Sequence, residues 1–190
     1  MRKYCEWLSK YWLLILAMAI GGFLRFYRLR ELTTFGGDQG VDYLSVWQMI
    51  SERRLSLLGP ITHVGIYLGP LYYYLLIPFF LLLNFDPIAA PIIFAIFGTA
   101  TVGLVYVLAR MMFKKYPFFA FLTALLYAVS PVIIESSRAP SQPHLIPFFS
   151  ALTLMVLFRL SEKTGGLLEG IVLGIGVGFL VQMHFFSFPI

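Results

Sequence analysis

The residue types best suited to chemistry lie in one short stretch, Thr34-Phe35-Gly36-Gly37-Asp38-Gln39-Gly40-Val41-Asp42-Tyr43. Its three glycines allow backbone conformations that other residues resist, and they leave room for a ligand to come close to Asp38. The Asp38 carboxylate is therefore the first candidate for chemistry, and proton abstraction is what an accessible carboxylate offers.

The rest of the chain must hold that stretch in place, and its composition says where. Of 190 residues, 59% are hydrophobic and 12% charged, and the mean hydropathy is +0.85. Such values exclude an ordinary soluble domain and predict an integral membrane protein. The formal charge of +5 comes from 14 basic and 9 acidic residues, which suits anionic headgroups or phosphorylated substrates. The basic residues punctuate apolar segments and form no stripe, so nucleic acid is excluded as a partner. With Cys5 as the single cysteine, no internal disulfide can form.

The apolar segments predict an all-α, multi-span helical bundle that forms one domain over residues 1–190. Spans are expected at about 11–27, 88–112, 117–135, 145–160 and 167–186. The first could be a cleavable signal, but Trp12 and the aromatics at 23–27 read as interface anchors of a retained span. Residues 70–85 are interrupted by Pro78 and are short for a crossing, so they are expected to dip into the membrane without crossing it. Between these segments, 41–50 has helical periodicity and predicts a surface helix, with Trp47 and Met49 toward lipid and the acids wet. Asp38 would sit just ahead of it, where the helix dipole favours the carboxylate, or where Asp simply caps the helix.

With five spans, the N-terminus and the basic loops 110–115 and 159–163 share one side, cytoplasmic by the positive-inside rule. The Asp38 loop and the 135–144 loop then share the external side of the cell membrane. Letting 70–85 cross puts more basic residues inside but separates those two loops.

The order of a first span, an acidic loop after a turn, Gly69-Pro70-Leu71-Tyr72-Tyr73, a span ending in basic residues and Ser137-Arg138-Ala139 resembles a known family. It is similar to the N-terminal part of the membrane-embedded C-type glycosyltransferases, the superfamily of protein O-mannosyltransferases and aminoarabinose transferases. Members are much longer, so these residues read as an N-terminal fragment. The resemblance implies inverting transfer of a sugar from a polyprenyl-phosphate donor to an acceptor hydroxyl on a glycan, lipid or protein, at the external face. It also implies non-crossing helices in the first external loop, and it leaves a divalent metal cofactor open with its ligands unassigned. Three positions depart from the family pattern. Gln39 stands where a second acid is usual, Gln142-Pro143-His144 where an aspartate is frequent, and Gln182-Met183-His184 where a lysine is frequent.

On that resemblance Asp38 is the expected catalytic base. Arg28, Arg30, Arg138 and His184 are candidates for the departing phosphate. Asp42, His63 and His144 complete the candidate substrate contacts. Each has a plainer role. Asp42 reads as a solvated or salt-bridging helix residue, the arginines as headgroup anchors, and the histidines, which lack a metal spacing, as hydrogen-bonded interface residues. Tyr72, Tyr73 and Tyr74 read as an aromatic belt. Two other classes fit parts of the pattern. A transporter subunit would use Pro78 and the intramembrane Glu169, and a non-catalytic scaffold would keep the fold alone.

Overall fold

The computed structural model describes residues 2–62, 65–162 and 166–184, with backbone only for 2–10. Its elements are α1 (Arg2–Phe26), α2 (Leu29–Leu32), α3 (Gly37–Ser51), α4 (Leu71–Leu82), α5 (Ala89–Met112), α6 (Pro117–Val129), α7 (Pro131–Ser136), a 3-10 turn (Gln142–Leu145), α8 (Ile146–Ser161) and α9 (Leu167–Met183). Among the described residues, β-structure is limited to an isolated bridge between Ile61 and Tyr67. Starts and stops follow local chemistry. Pro117, Pro131 and Pro147 occupy first turns, where the missing N–H costs nothing. Gln39 and Glu169 reach back to the N–H groups of Gly36 and Gly166 at 2.8 Å each, satisfying donors that a helix start leaves open. Arg28, at φ 47°, separates α1 from α2.

Helix α5 is the centre, packed by α1 and α6 on one side and by α4 and α8 on the other. On the α1–α6 side the core is made of small residues, with Ala17, Ala109, Ala120, Ala124 and Ala128 buried around Val102 and Tyr106. Small side chains let helix backbones come close, the usual means of helix association in membranes. A Cβ on Gly21 would meet Val102 Cγ2 at 2.9 Å, so the glycine is required there. On the other side the core is aromatic. Tyr72, Phe80, Phe94 and Phe149 are buried, and Phe149 stacks on Phe179 of α9 at 4.5 Å.

The contacts fix which helix ends share a face. Arg25, near the end of α1, is fully buried. It donates to Ala128 O at the end of α6 (3.1 Å), to Ser137 Oγ at the end of α7 (3.1 Å) and to Gly21 O (3.0 Å). Arg30 pairs with Asp86 just before α5 at 2.6 Å. Leu145 before α8 and Met183 at the end of α9 are buried in the same cluster as Ala89 and Ala90. The ends of α1, α6 and α9 and the beginnings of α5 and α8 therefore lie together. The opposite face carries Lys114 paired with Glu162 at 2.7 Å and Arg159 with Glu169 at 3.5 Å.

Helix α4 begins against α9, where a Cβ on Gly69 would strike Gln182 Oε1 at 2.0 Å, and ends at the turn into α5. Both of its ends thus lie on the first face. Ala89–Met112 and Gln142–Ser161 are long and apolar enough to cross a membrane, whereas Tyr11–Phe26, Leu71–Leu82, Pro117–Val129 and Leu167–Met183 are shorter apolar helices. The single helix expected over 117–135 is broken at Ser130, because Pro131 biases the residue before it to extended backbone (ψ 119°).

Candidate functional site

Asp38 lies in the first turn of α3 and is exposed. It does not cap the helix. The N-cap is Gly36, and the backward bond comes from Gln39 Oε1. The amide at the position where the resemblance expects a second acid therefore closes the helix start and leaves the Asp38 carboxylate free to face outward. None of the three glycines has positive φ, so they supply space and not unusual backbone, and nothing lies within 4 Å of a Cβ on Gly37. Aromatic edges anchor the start of the helix, with Phe35 against Tyr43 at 5.2 Å and Tyr43 against Phe80 of α4 at 4.7 Å. The Tyr43 hydroxyl donates to Pro87 O.

One turn further along the same face, Asp42 overturns its sequence reading. It is buried, 6% exposed, and it is neither solvated nor salt-bridged, because α4 packs over it. Tyr73 Oη donates to Asp42 Oδ1 at 3.1 Å. Burial pushes the Asp42 carboxyl up to about 6; the Tyr73 hydrogen bond works against this, and the Asp38 charge adds to it. The surface helix is thus only half as expected. Trp47 is 51% exposed, but Met49 is buried against the aromatic core.

The tyrosine run is also not a belt. Tyr72 and Tyr73 are buried, and Tyr74 Oη donates to Ser56 O at 2.5 Å. Three consecutive residues can all pack against protein because α4 is covered by α3 and the 52–61 segment as well as by α5. Sequence periodicity could not show this, since it does not say how many neighbours a helix has.

The basic candidates are held in different ways. Arg28 pairs with Glu31, and Arg30 with Asp86; both arginines are exposed. The Arg30 guanidinium holds the Asp86 carboxyl below its usual range. Asp86, which also accepts from the Ile88 N–H at 2.9 Å, is a site neighbour that sequence reasoning missed. Its signal was the turn Asn84-Phe85-Asp86-Pro87, whose first two residues have positive φ. Arg138 donates to Leu24 O and Tyr27 O at the end of α1, where a cation complements the helix dipole. His144 Nδ1 lies 2.8 Å from Ala139 O within its own loop, and His184 is the C-cap residue of α9. His63 lies outside the described residues.

Asp42 and Tyr73 thus meet one turn after Asp38, and Arg30 pairs with Asp86, next to the Pro87 carbonyl that Tyr43 binds. Arg138 and His144 contact backbone carbonyls at the end of α1 and within the 139–144 segment, and Arg138 Nε is buried without a hydrogen-bond partner among the described residues. Among the described residues, no group of three or more His, Cys, Asp or Glu side chains converges on a point, and Asp42 lies behind tyrosines. Glu169, the acid that suggested a transporter, accepts from Gly166 N–H at the start of α9 and pairs with Arg159, so it caps a helix.

A family model described as dolichyl-phosphate-mannose-protein mannosyltransferase matches residues 67–190. No curated protein and no solved structure matches the chain. The family match spans more than half of the sequence, and the chain belongs to that family and, with it, to the membrane-embedded C-type glycosyltransferases. Asp38 and Asp42 precede the matched residues.

Proposed function

We propose that this member of the mannosyltransferase family transfers a sugar from a polyprenyl-phosphate donor to an acceptor hydroxyl with inversion, using Asp38 as the base. The family implies glycosyl transfer from such donors in general. The observation that carries the finer reading is the exposed Asp38 carboxylate, released from capping by Gln39, on the face where the ends of α1, α6 and α9 meet the beginnings of α5 and α8. In the reaction the acceptor oxygen forms its bond to the anomeric carbon as its proton passes to Asp38. The bond from the anomeric carbon to the phosphate oxygen breaks on the opposite side, and its electron pair leaves with the phosphate. That anion needs positive charge. Arg28 and Arg30 can supply it, because exposed ion pairs are worth little and exchange partners readily.

In this reading α1, α5, α6 with α7, α8 and α9 cross the cell membrane, α4 does not, and the Asp38 face is external with the N-terminus cytoplasmic. The support is that both ends of α4 lie on the Asp38 face, while Arg110, Lys114, Lys115 and Arg159 lie toward the other. Replacing Asp38 with Asn should abolish sugar transfer from a polyprenyl-phosphate donor while leaving membrane insertion and helical content unchanged. Undiminished transfer would rule out Asp38 as the base. Labelling of cysteines placed at 38 and 141 from opposite sides of the membrane would refute the topology.

A further inference from the structure

Beyond Asp38, the same face of α3 runs through Val41, Asp42, Ser45, Gln48 and Glu52, at spacings of three and four residues. Past Asp42 it forms one wall of a groove of about 410 Å³, within the roughly 300–1,000 Å³ usual for small-ligand sites. The opposite wall is the chain around Leu58–Ile61 and Tyr67. It is held by Gly59 N–H to Leu68 O and Leu68 N–H to Pro60 O, both 2.9 Å, and by the Ile61–Tyr67 bridge. Gly59 permits this wall, since a Cβ there would meet Gly69 O at 2.1 Å. Tyr73, the donor to Asp42, also lines the groove.

Three polar side chains in the groove have no hydrogen bond or ion pair among the described residues: the Gln48 amide, the Glu52 carboxylate and the Arg54 guanidinium. Each is exposed, and together they offer donors and acceptors with no net charge. That balance is wrong for a free phosphate, which needs an excess of cations. It suits a group that donates and accepts at every position, as sugar hydroxyls do, with the Tyr67 ring, 54% exposed, available to the C–H face of a pyranose.

We propose that this groove binds a saccharide portion of the acceptor, so that the acceptor is a glycan or glycolipid. The proposal rests on the transfer reading for its assignment to the acceptor. A donor sugar must lie beside Asp38, whereas Gln48 is ten residues along α3 and about 15 Å away at 1.5 Å per residue, the reach of an extended acceptor. The exposed Leu55, Leu58 and Ile61 at the rim would meet the lipid or the acceptor's apolar part.

The test is saturation-transfer NMR on the full chain in lipid nanodiscs, with neutral disaccharides (mannobiose, cellobiose and chitobiose) as probes. Transfer to at least one is expected, reduced at least fivefold by Gln48→Ala combined with Glu52→Gln and unchanged by Lys115→Gln on the opposite face. No transfer to any probe, or transfer indifferent to the double variant, would overturn the proposal, as would displacement of the sugar by a polyprenyl phosphate, which would assign the groove to the donor. Circular dichroism of the double variant guards against misfolding. Because binding is read without turnover, a failed Asp38 assay with intact disaccharide binding would sink the base and spare the groove.

Discussion

The two sides of α5 bury polar groups for opposite purposes. On the α1–α6 side small residues press the backbones together, and the buried cation, Arg25, is spent on the carbonyls of Gly21 and Ala128 and the hydroxyl of Ser137. Its charge is tied to the ends of helices through Nε and Nη1, while Nη2 is buried without a hydrogen-bond partner among the described residues. On the α3–α4 side rings do the packing, and the buried charge is an acid, Asp42, whose partner is the hydroxyl of Tyr73. The small-residue frame holds a cation bound to helix ends, and the aromatic side holds an acid whose proton burial retains, beside an exposed carboxylate and a groove. The difference predicts which change each side resists: added volume on the first, a change of protonation on the second.

The largest expected effect separates activity from fold. Asp38→Asn should lower transfer by about 10²–10⁴-fold, the range for a lost general base, with no change in the thermal midpoint. A midpoint that falls with activity would make Asp38 part of the frame. Next in size is Gly98→Leu. A Cβ at Gly98 would meet Ser137 Oγ at 2.4 Å and Arg25 Nε at 2.9 Å, so the variant both overpacks the junction and disturbs a buried charge. A loss of about 3–5 kcal/mol is expected in reversible unfolding from mixed micelles; a near-neutral result would mean that the frame yields as readily as the site.

Asp42→Asn should act in the other direction, and only at higher pH. The folded protein holds the Asp42 proton more tightly than the unfolded chain does, with the carboxyl raised from 3.8 to about 6. The stability this contributes is fully present below about pH 4 and is lost as pH rises through about 6. Removing the acid should therefore stabilise the protein by up to about 3 kcal/mol at pH 8 and hardly at all at pH 4, because Asn still accepts from Tyr73. Unfolding midpoints at the two pH values check the sign, and equal shifts at both would show that Asp42 does not titrate. The smallest effect is that of Tyr72→Phe. The buried Tyr72 hydroxyl lies by the Asp42 carboxyl without a well-aligned hydrogen bond, so its loss should change stability by no more than about 1 kcal/mol; a larger destabilisation would make Tyr72 a full partner of Asp42.

Much of the fold was legible in the sequence because hydropathy and proline placement act locally. The apolar runs mark α1, α5, α8 and α9, and the shortness of 70–85 with Pro78 marks α4 as different from α5. The family was legible too, from the order of turns, spans and basic residues, and the family match agrees with it. Asp38 is singled out by its glycines, none of which takes left-handed backbone in the structure. The groove was not legible, since Gln48, Glu52 and Arg54 carry no motif and acquire meaning only from the wall opposite.

Asp42 and Gln39 mark the boundary between the two kinds of information. Composition and periodicity alone determine that the chain is helical and apolar, that a helix covers about 41–50, and that an acid stands just ahead of it, because each follows from neighbours within a few residues; the helix in fact starts at Gly37 and takes Asp38 into its first turn. Whether an acid in that helix is wet or buried depends on a residue 31 positions away, Tyr73, brought there when α4 folds over α3. Only the tertiary structure could decide that the first acid is left exposed and the second is covered. Desolvation is a property of everything packed around a group, and no local pattern records it.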